Sequence, residues 1–162
     1  QGGLAFNSDE NTYLNGVFAP TAEEVPNGSG LPLEILEGSL PRELDGLFLR
    51  IGPNPWATPT KRHHTFDGDG MVHSIRIKAG KAFYHNAWMQ TPRLTFEQKR
   101  GQAYFTRIGE LNGPIGLLKA IFIMSHKADL AGFDRYEAGV ANTAIAALPD
   151  GRLWALNEGT SA

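Results

Sequence analysis

Apolar and polar positions alternate most clearly between Met71 and Trp88. Val72-His73-Ser74-Ile75-Arg76-Ile77-Lys78 leads through Ala79-Gly80 into Lys81-Ala82-Phe83-Tyr84-His85. A two-residue turn containing glycine, flanked by β-branched and aromatic residues, predicts a hairpin. That loop length pairs Lys78 with Lys81, Ser74 with His85 and His73 with Asn86. A second hairpin is predicted from Ala141 to Glu158, turning at Pro149-Asp150-Gly151, where proline presets φ and glycine permits φ > 0. Short apolar runs at Leu33 to Leu36 and Gly46 to Ile51, bounded by Pro41 and Gly52-Pro53, suit strands, with at most a helical turn at Leu40 to Leu44 between them.

Helical periodicity is convincing only over about Pro114 to Leu130. Leu117, Ile121, Met124 and Ala128 recur at i, i+4, i+7, i+11, with Leu118 and Phe122 beside them. Lys119, His126 and Lys127 mark the other face, yet Ile123 sits among them. A buried helix face explains most of this stripe. Ile123 beside lysines is also what a helix lying in a membrane interface shows. Residues 1–30 are irregular, with Asn15-Gly16, Ala19-Pro20 and a Pro-Asn-Gly-Ser-Gly stretch, and read as an arm wrapped over another element. Residues 31–162 form the body.

Composition narrows the function classes. With 41% apolar and 20% charged residues, 162 residues are enough to bury a core. A net charge of −2 argues against a nucleic-acid partner, which needs a basic stripe to displace counterions. The absence of cysteine excludes disulfides, thiolate metal sites and thiol nucleophiles. The longest apolar candidate, Leu117 to Met124, contains Lys119 and is far short of a membrane span. The chain starts at Gln1 without a leader pattern and stops at Ala162 just after a strand-like stretch, which reads as an interrupted chain.

Candidate chemistry clusters in one place. His63, His64, His73 and His85 are close in sequence, but the predicted register puts His73 and His85 on opposite faces of their hairpin. His63 and His64 diverge likewise if extended, so these residues alone are not expected to hold a metal. Phe66-Asp67-Gly68-Asp69-Gly70-Met71 resembles the start of a calcium loop, but the fifth and twelfth positions from Asp67 are Met71 and Lys78, which cannot serve. A tight turn whose carboxylates cap backbone N–H groups is the better reading. No Gly-x-Ser-x-Gly, Walker or Gly-x-Gly-x-x-Gly pattern occurs.

Several segments in order carry a resemblance. Arg50-Ile51-Gly52-Pro53-Asn54-Pro55 precedes His64-Thr65-Phe66-Asp67-Gly68-Asp69-Gly70-Met71-Val72-His73. Gly109-Glu110-Leu111-Asn112-Gly113 with Gly116-Leu117-Leu118 follows, then Ala141-Asn142-Thr143 and Gly151-Arg152-Leu153-Trp154-Ala155-Leu156-Asn157-Glu158-Gly159. Over about Gly16 to Gly159 this resembles the N-terminal part of the carotenoid cleavage dioxygenases, which include retinoid isomerases and stilbene-cleaving oxygenases. Thr65 departs from the tryptophan usual there.

The resemblance implies an all-β fold with a short helical cap: about a third of a seven-bladed β-propeller, with Pro114 to Leu130 as a cap helix that lines the substrate tunnel and touches membrane peripherally. It implies cleavage of a conjugated double bond of a carotenoid or apocarotenoid with O₂ at a non-haem Fe(II) held by four histidines. None of the five histidines here aligns with those ligands, so the segment alone is expected to bind no iron. Glu158 matches a glutamate that orients an iron-bound histidine, while Phe66 and Asn157 match positions lining the substrate tunnel. The chain then reads as part of a full dioxygenase, in a plastid or the cytoplasm. The alternative is a truncated, iron-free module serving as a structural or pigment-binding subunit of a larger assembly, such as a membrane or photosynthetic one.

Overall fold

A computed structural model describes residues 11–25, 28, 30–59, 62–111, 129, 132 and 137–157. The described residues are mostly β-sheet with one α-helix of more than a turn. Strands β1 (Leu31–Pro32), β2 (Gly46–Asn54), β3 (Asp69–Lys78) and β4 (Lys81–Trp88) form an antiparallel sheet in the order β1-β4-β3-β2. β5 (Ala144–Ala147) and β6 (Leu153–Leu156) form a separate antiparallel pair.

The predicted register of the first hairpin is the one observed. Lys78 pairs with Lys81, Ser74 with His85 and His73 with Asn86. Ala79 (φ 50°) and Gly80 (φ 76°) both adopt positive φ, as a twist-matched two-residue hairpin turn demands. The second hairpin also turns where expected. Gly151 sits at φ 85°, and Leu148 N–H donates to the Arg152 carbonyl at 2.8 Å.

Two strand boundaries differ from expectation. Leu33 to Leu36 is not a strand; pairing begins earlier, at Leu31–Pro32, and its last bond runs from Leu33 N–H to the Ala82 carbonyl. Beyond Ala82 only Lys81 remains before the turn, so the partner strand has run out. β2 in turn runs past Gly52-Pro53 to Asn54. Proline is tolerated because β2 lies at the margin of the sheet, where a missing N–H breaks no ladder bond.

α1 (Pro92–Arg100) is a helix that apolar periodicity did not reveal. Its ends are nonetheless well signalled. The Thr91 hydroxyl accepts from Leu94 N–H at 3.1 Å, Pro92 occupies the first turn, and Gly101 at φ 70° terminates it. The cap helix expected over about 114–130 lies outside the described residues, apart from Asp129.

Among the described residues, buried polar side chains are prominent. Buried apolar side chains are Ile51, Met71, Ala82, Leu94 and Phe105, whereas Asn54, His63, Asp67, Asp69, Asn86, Arg93, Glu97, Arg107 and Asn142 are also buried. Two of the asparagines fasten residues 21–25 onto the sheet. Asn54 accepts from Thr21 N–H (2.7 Å) and donates to the Thr21 carbonyl (2.9 Å). Asn86 accepts from Val25 N–H (2.6 Å) and donates to the Glu23 carbonyl (3.0 Å). Each amide substitutes for a strand neighbour where no strand continues.

Candidate functional site

The Phe66–Gly70 motif organises the buried polar region. Thr65–Asp67 is a single 3₁₀ turn capped by His64, whose Nδ1 accepts from Phe66 N–H at 3.2 Å. The Asp67 carboxylate turns inward and accepts three backbone N–H groups: Oδ2 from His64 (2.9 Å) and Gly109 (2.7 Å), Oδ1 from Ile108. Its carbonyl accepts from the Arg107 guanidinium. The expected turn, with a carboxylate capping backbone donors, is what the motif forms.

Asp69 and Glu97 extend the cluster. Asp69 Oδ2 accepts from Trp56 N–H at 3.1 Å, and Glu97 Oε1 accepts from Tyr104 and Phe105 N–H at 2.7 and 2.9 Å. The Arg107 Nη2 lies 3.5 Å from both Asp69 Oδ2 and Glu97 Oε2. Arg93 lies over the Phe105 ring at 5.2 Å from its centroid. Burial lowers the Arg93 pKa, as does repulsion from Arg107, while Asp69, Glu97 and Asp67 act in the opposite direction. Burial likewise lowers the pKa of His63, opposed by Asp67. His63 and Arg107 both border a cavity of about 390 Å³ that Trp56 and Gln102 also line.

Close backbone approach explains the glycines of the motif. A Cβ on Gly68 would meet Asn54 N at 2.4 Å, and one on Gly70 would meet the Ala141 carbonyl at 2.1 Å. That contact seats the segment before β5 against the motif. Gly70 N–H donates to the Val140 carbonyl at 2.7 Å, and Ala141 takes a positive φ of 48°. The Asn142 amide then donates to both the Phe66 (3.1 Å) and Gly68 (2.7 Å) carbonyls. Thr143 Oγ1 lies 3.3 Å from both Asn142 Oδ1 and Asn157 Oδ1.

The residues singled out from sequence are distributed as follows. Phe66 points outward, 64% exposed, its ring 5.1 Å from that of His64. Asn157 is half-buried, with its Oδ1 3.3 Å from Thr143 Oγ1. Glu158 lies outside the described residues. His73 Nδ1 sits 2.6 Å from the Tyr84 hydroxyl, while His85 faces the other side of the sheet against Gly30. Among the described residues no three His, Asp or Glu side chains converge on a point that could hold a metal. Glu97, Arg93 and Arg107 carried no signal as a site. Only the Thr91-Pro92 and Gly101 boundaries could have exposed the helix that aims the first two inward.

Comparisons with known proteins match this layout. The family model described as retinal pigment epithelial membrane protein matches residues 18–162. The chain is 43% identical over 147 residues to a carotenoid 9,10(9',10')-cleavage dioxygenase 1 of Arabidopsis thaliana, covering 90% of this chain and 26% of that protein. It is 36% identical over 155 residues to a chloroplastic 9-cis-epoxycarotenoid dioxygenase of the same plant, covering 93% and 26%. A solved Synechocystis apocarotenoid oxygenase variant superposes with a TM-score of 0.61 at 29% identity, over 86% of this chain and 26% of that one. The chain belongs to the carotenoid cleavage dioxygenase family. It spans about a quarter of the length of the curated relatives it matches.

Proposed function

We propose that this chain is part of a carotenoid or apocarotenoid cleavage dioxygenase. The observation that carries the reading is the 43% identity sustained over 147 residues with a carotenoid cleavage dioxygenase. Segments that carry the resemblance also meet in space, since Asn142, just before β5, donates to the Phe66 and Gly68 carbonyls of the turn. In the reaction one conjugated C=C breaks and two C=O bonds form, with O₂ supplying both oxygen atoms. Fe(II), when bound, supplies the activation of O₂, and its histidine ligands would lie outside the described residues.

In this reading the sheet β1–β4 is a propeller blade, which its four antiparallel strands support, and β5–β6 begins the next. The seven-bladed closure and a division into an arm (1–30) and blades (31–162) belong to the same proposal. Phe66 would present an aromatic face to the polyene, Asn157 would lie beside it, and Glu158 would orient an iron-bound imidazole through its free N–H. The segment about 114–130, with Ile123 among lysines, would rest on a membrane surface from which an apolar substrate enters. Relatives named chloroplastic support a plastid setting.

The test is O₂-dependent loss of polyene absorbance, with aldehyde or ketone products identified by mass spectrometry, when the complete protein is given carotenoids in detergent micelles. Products that vanish on iron chelation and return with Fe(II) support the reading; no O₂-dependent product from any carotenoid overturns it. A native polypeptide of 17.7 kDa that binds carotenoid without cutting it would instead support the iron-free binding module.

A further inference from the structure

We infer that Asn142 is a positioning residue that fixes the Phe66 turn and thereby sets which double bond of the polyene is cut; this rests on the dioxygenase reading above. Phe66 sits on a one-turn 3₁₀ segment whose own hydrogen bonding cannot hold the ring in place. Its carboxylate neighbour Asp67 secures the turn from one side, through the backbone of residues 108 and 109. From the other side the carbonyls of Phe66 and Gly68 receive both N–H bonds of one side chain, the Asn142 amide, which is 93% buried (7% exposed). The remaining amide oxygen lies 3.3 Å from Thr143 Oγ1, whose single proton serves either it or Asn157 Oδ1 at the same distance. Phe66 and Asn157, both placed on one substrate channel by the dioxygenase reading, thus approach each other at the adjacent residues Asn142 and Thr143.

The arrangement has little slack. Ala141 holds a left-handed conformation and its carbonyl abuts Gly70, so the backbone on which Asn142 stands is fixed from both directions. Only a side chain with two donors serves both carbonyls. Aspartate, of the same shape, would set acceptor against acceptor, so Asn142→Asp should disturb Phe66 more than Asn142→Ala. Protonation of that aspartate restores one donor, so acidification should partly rescue the Asp variant and leave the Ala variant unchanged.

The experiment uses the complete protein with 4-fluorophenylalanine at position 66, in the parent and in Asn142→Asp, Asn142→Ala and Asn142→Ser. Expected are a shifted or broadened ¹⁹F line, a changed ratio of cleavage products, and a fall in kcat/KM on the order of 100-fold, as a displacement near 1 Å produces. Serine, keeping one donor, should fall between parent and alanine, and keeps the test open if alanine fails to fold. Arg152→Ala, at the exposed tip of the same hairpin, should leave ratio and line unchanged. An unchanged product ratio overturns the claim on cleavage position, and an unmoved fluorine line overturns the anchoring of Phe66, whatever the rate. A parent protein that cleaves no carotenoid overturns the dioxygenase reading and the claim on cleavage position with it; the fluorine line alone then decides whether Asn142 anchors Phe66.

Discussion

The two ends of the four-stranded sheet are built differently. At one end Asp69, Met71, Asn54 and Asn86 are buried, and the Asp67–Arg107–Glu97 cluster lies beside them. At the other, Leu47 and Phe48 are 52% and 59% exposed, and Lys78 pairs with Lys81 across the turn. The exposed end satisfies most of its backbone through the ladder, and the side-chain help it receives, Arg76 donating to the Gly46 and Ile77 carbonyls at 2.8 Å, comes from a half-exposed residue. The buried end is where strands stop and loops cross, so orphan N–H and C=O groups accumulate away from water. Carboxylates, guanidinium groups and carboxamides supply those partners there. The lesson is that polar burial follows the interrupted backbone, not the sheet.

The comparison can be broken most severely at Glu97. It is fully buried, caps two backbone N–H groups and faces Arg107. Glu97→Ala leaves Arg107 with Asp69 as its carboxylate partner and uncaps two backbone N–H groups, and should cost about 3–5 kcal/mol. Urea unfolding of the complete protein measures this, and a loss below 1 kcal/mol would refute the importance of the cluster. Glu97→Gln keeps an acceptor for the two N–H groups and should cost distinctly less.

Gly70→Ala is expected to cost about 1–3 kcal/mol, since the added methyl meets the Ala141 carbonyl. The same change at Gly46, at the exposed end, meets nothing within 4 Å and should be tolerated, so the pair of midpoints tests the contrast directly.

A smaller effect depends on pH. Burial holds His63 neutral with its pKa below the usual 6.5. The unfolded chain therefore takes up a proton first as pH falls. The stability contributed by neutral His63 is fully present above about 6.5 and is lost between that value and its lowered one. His73, also lowered by burial, adds in the same direction. Melting temperatures from pH 8 to 5 should decline, and the decline should flatten in His63→Gln. Smallest of all, Arg152→Ala removes an exposed pair with Asp150 and should stay within about 0.5 kcal/mol.

Sequence made the hairpins legible because turn chemistry and period-two alternation are local. The Ala79-Gly80 turn sets the register of eight residue pairs, from Lys78–Lys81 to Met71–Trp88. The cap of the Asp67 turn was legible for the same reason, since one of its three donors, His64 N–H, lies three residues away. Glu97 and Arg107 were not. Each is an ordinary charged residue in its own segment, and only the fold brings them within 3.5 Å. The helix Pro92–Arg100 escaped because its buried face is Arg93, Leu94 and Glu97, which shows no apolar stripe. Asn142 could be picked out within a family motif, but its partners lie 74 and 76 residues earlier.

That separation has a consequence in time. The carbonyl of Gly68 waits for the amide of a residue 74 positions further on. A chain synthesised at roughly 5–20 residues per second presents Asn142 about 4–15 s after Gly68. A hairpin forms in microseconds, so β3–β4 can zip almost as soon as it emerges, with the Phe66 turn beside it still hydrated. The turn acquires its second anchor only when the Val140–Asn142 segment arrives, closing a long loop whose entropic cost grows slowly with length. The sheet is therefore an early product of synthesis, and the geometry of the Phe66 turn a late one.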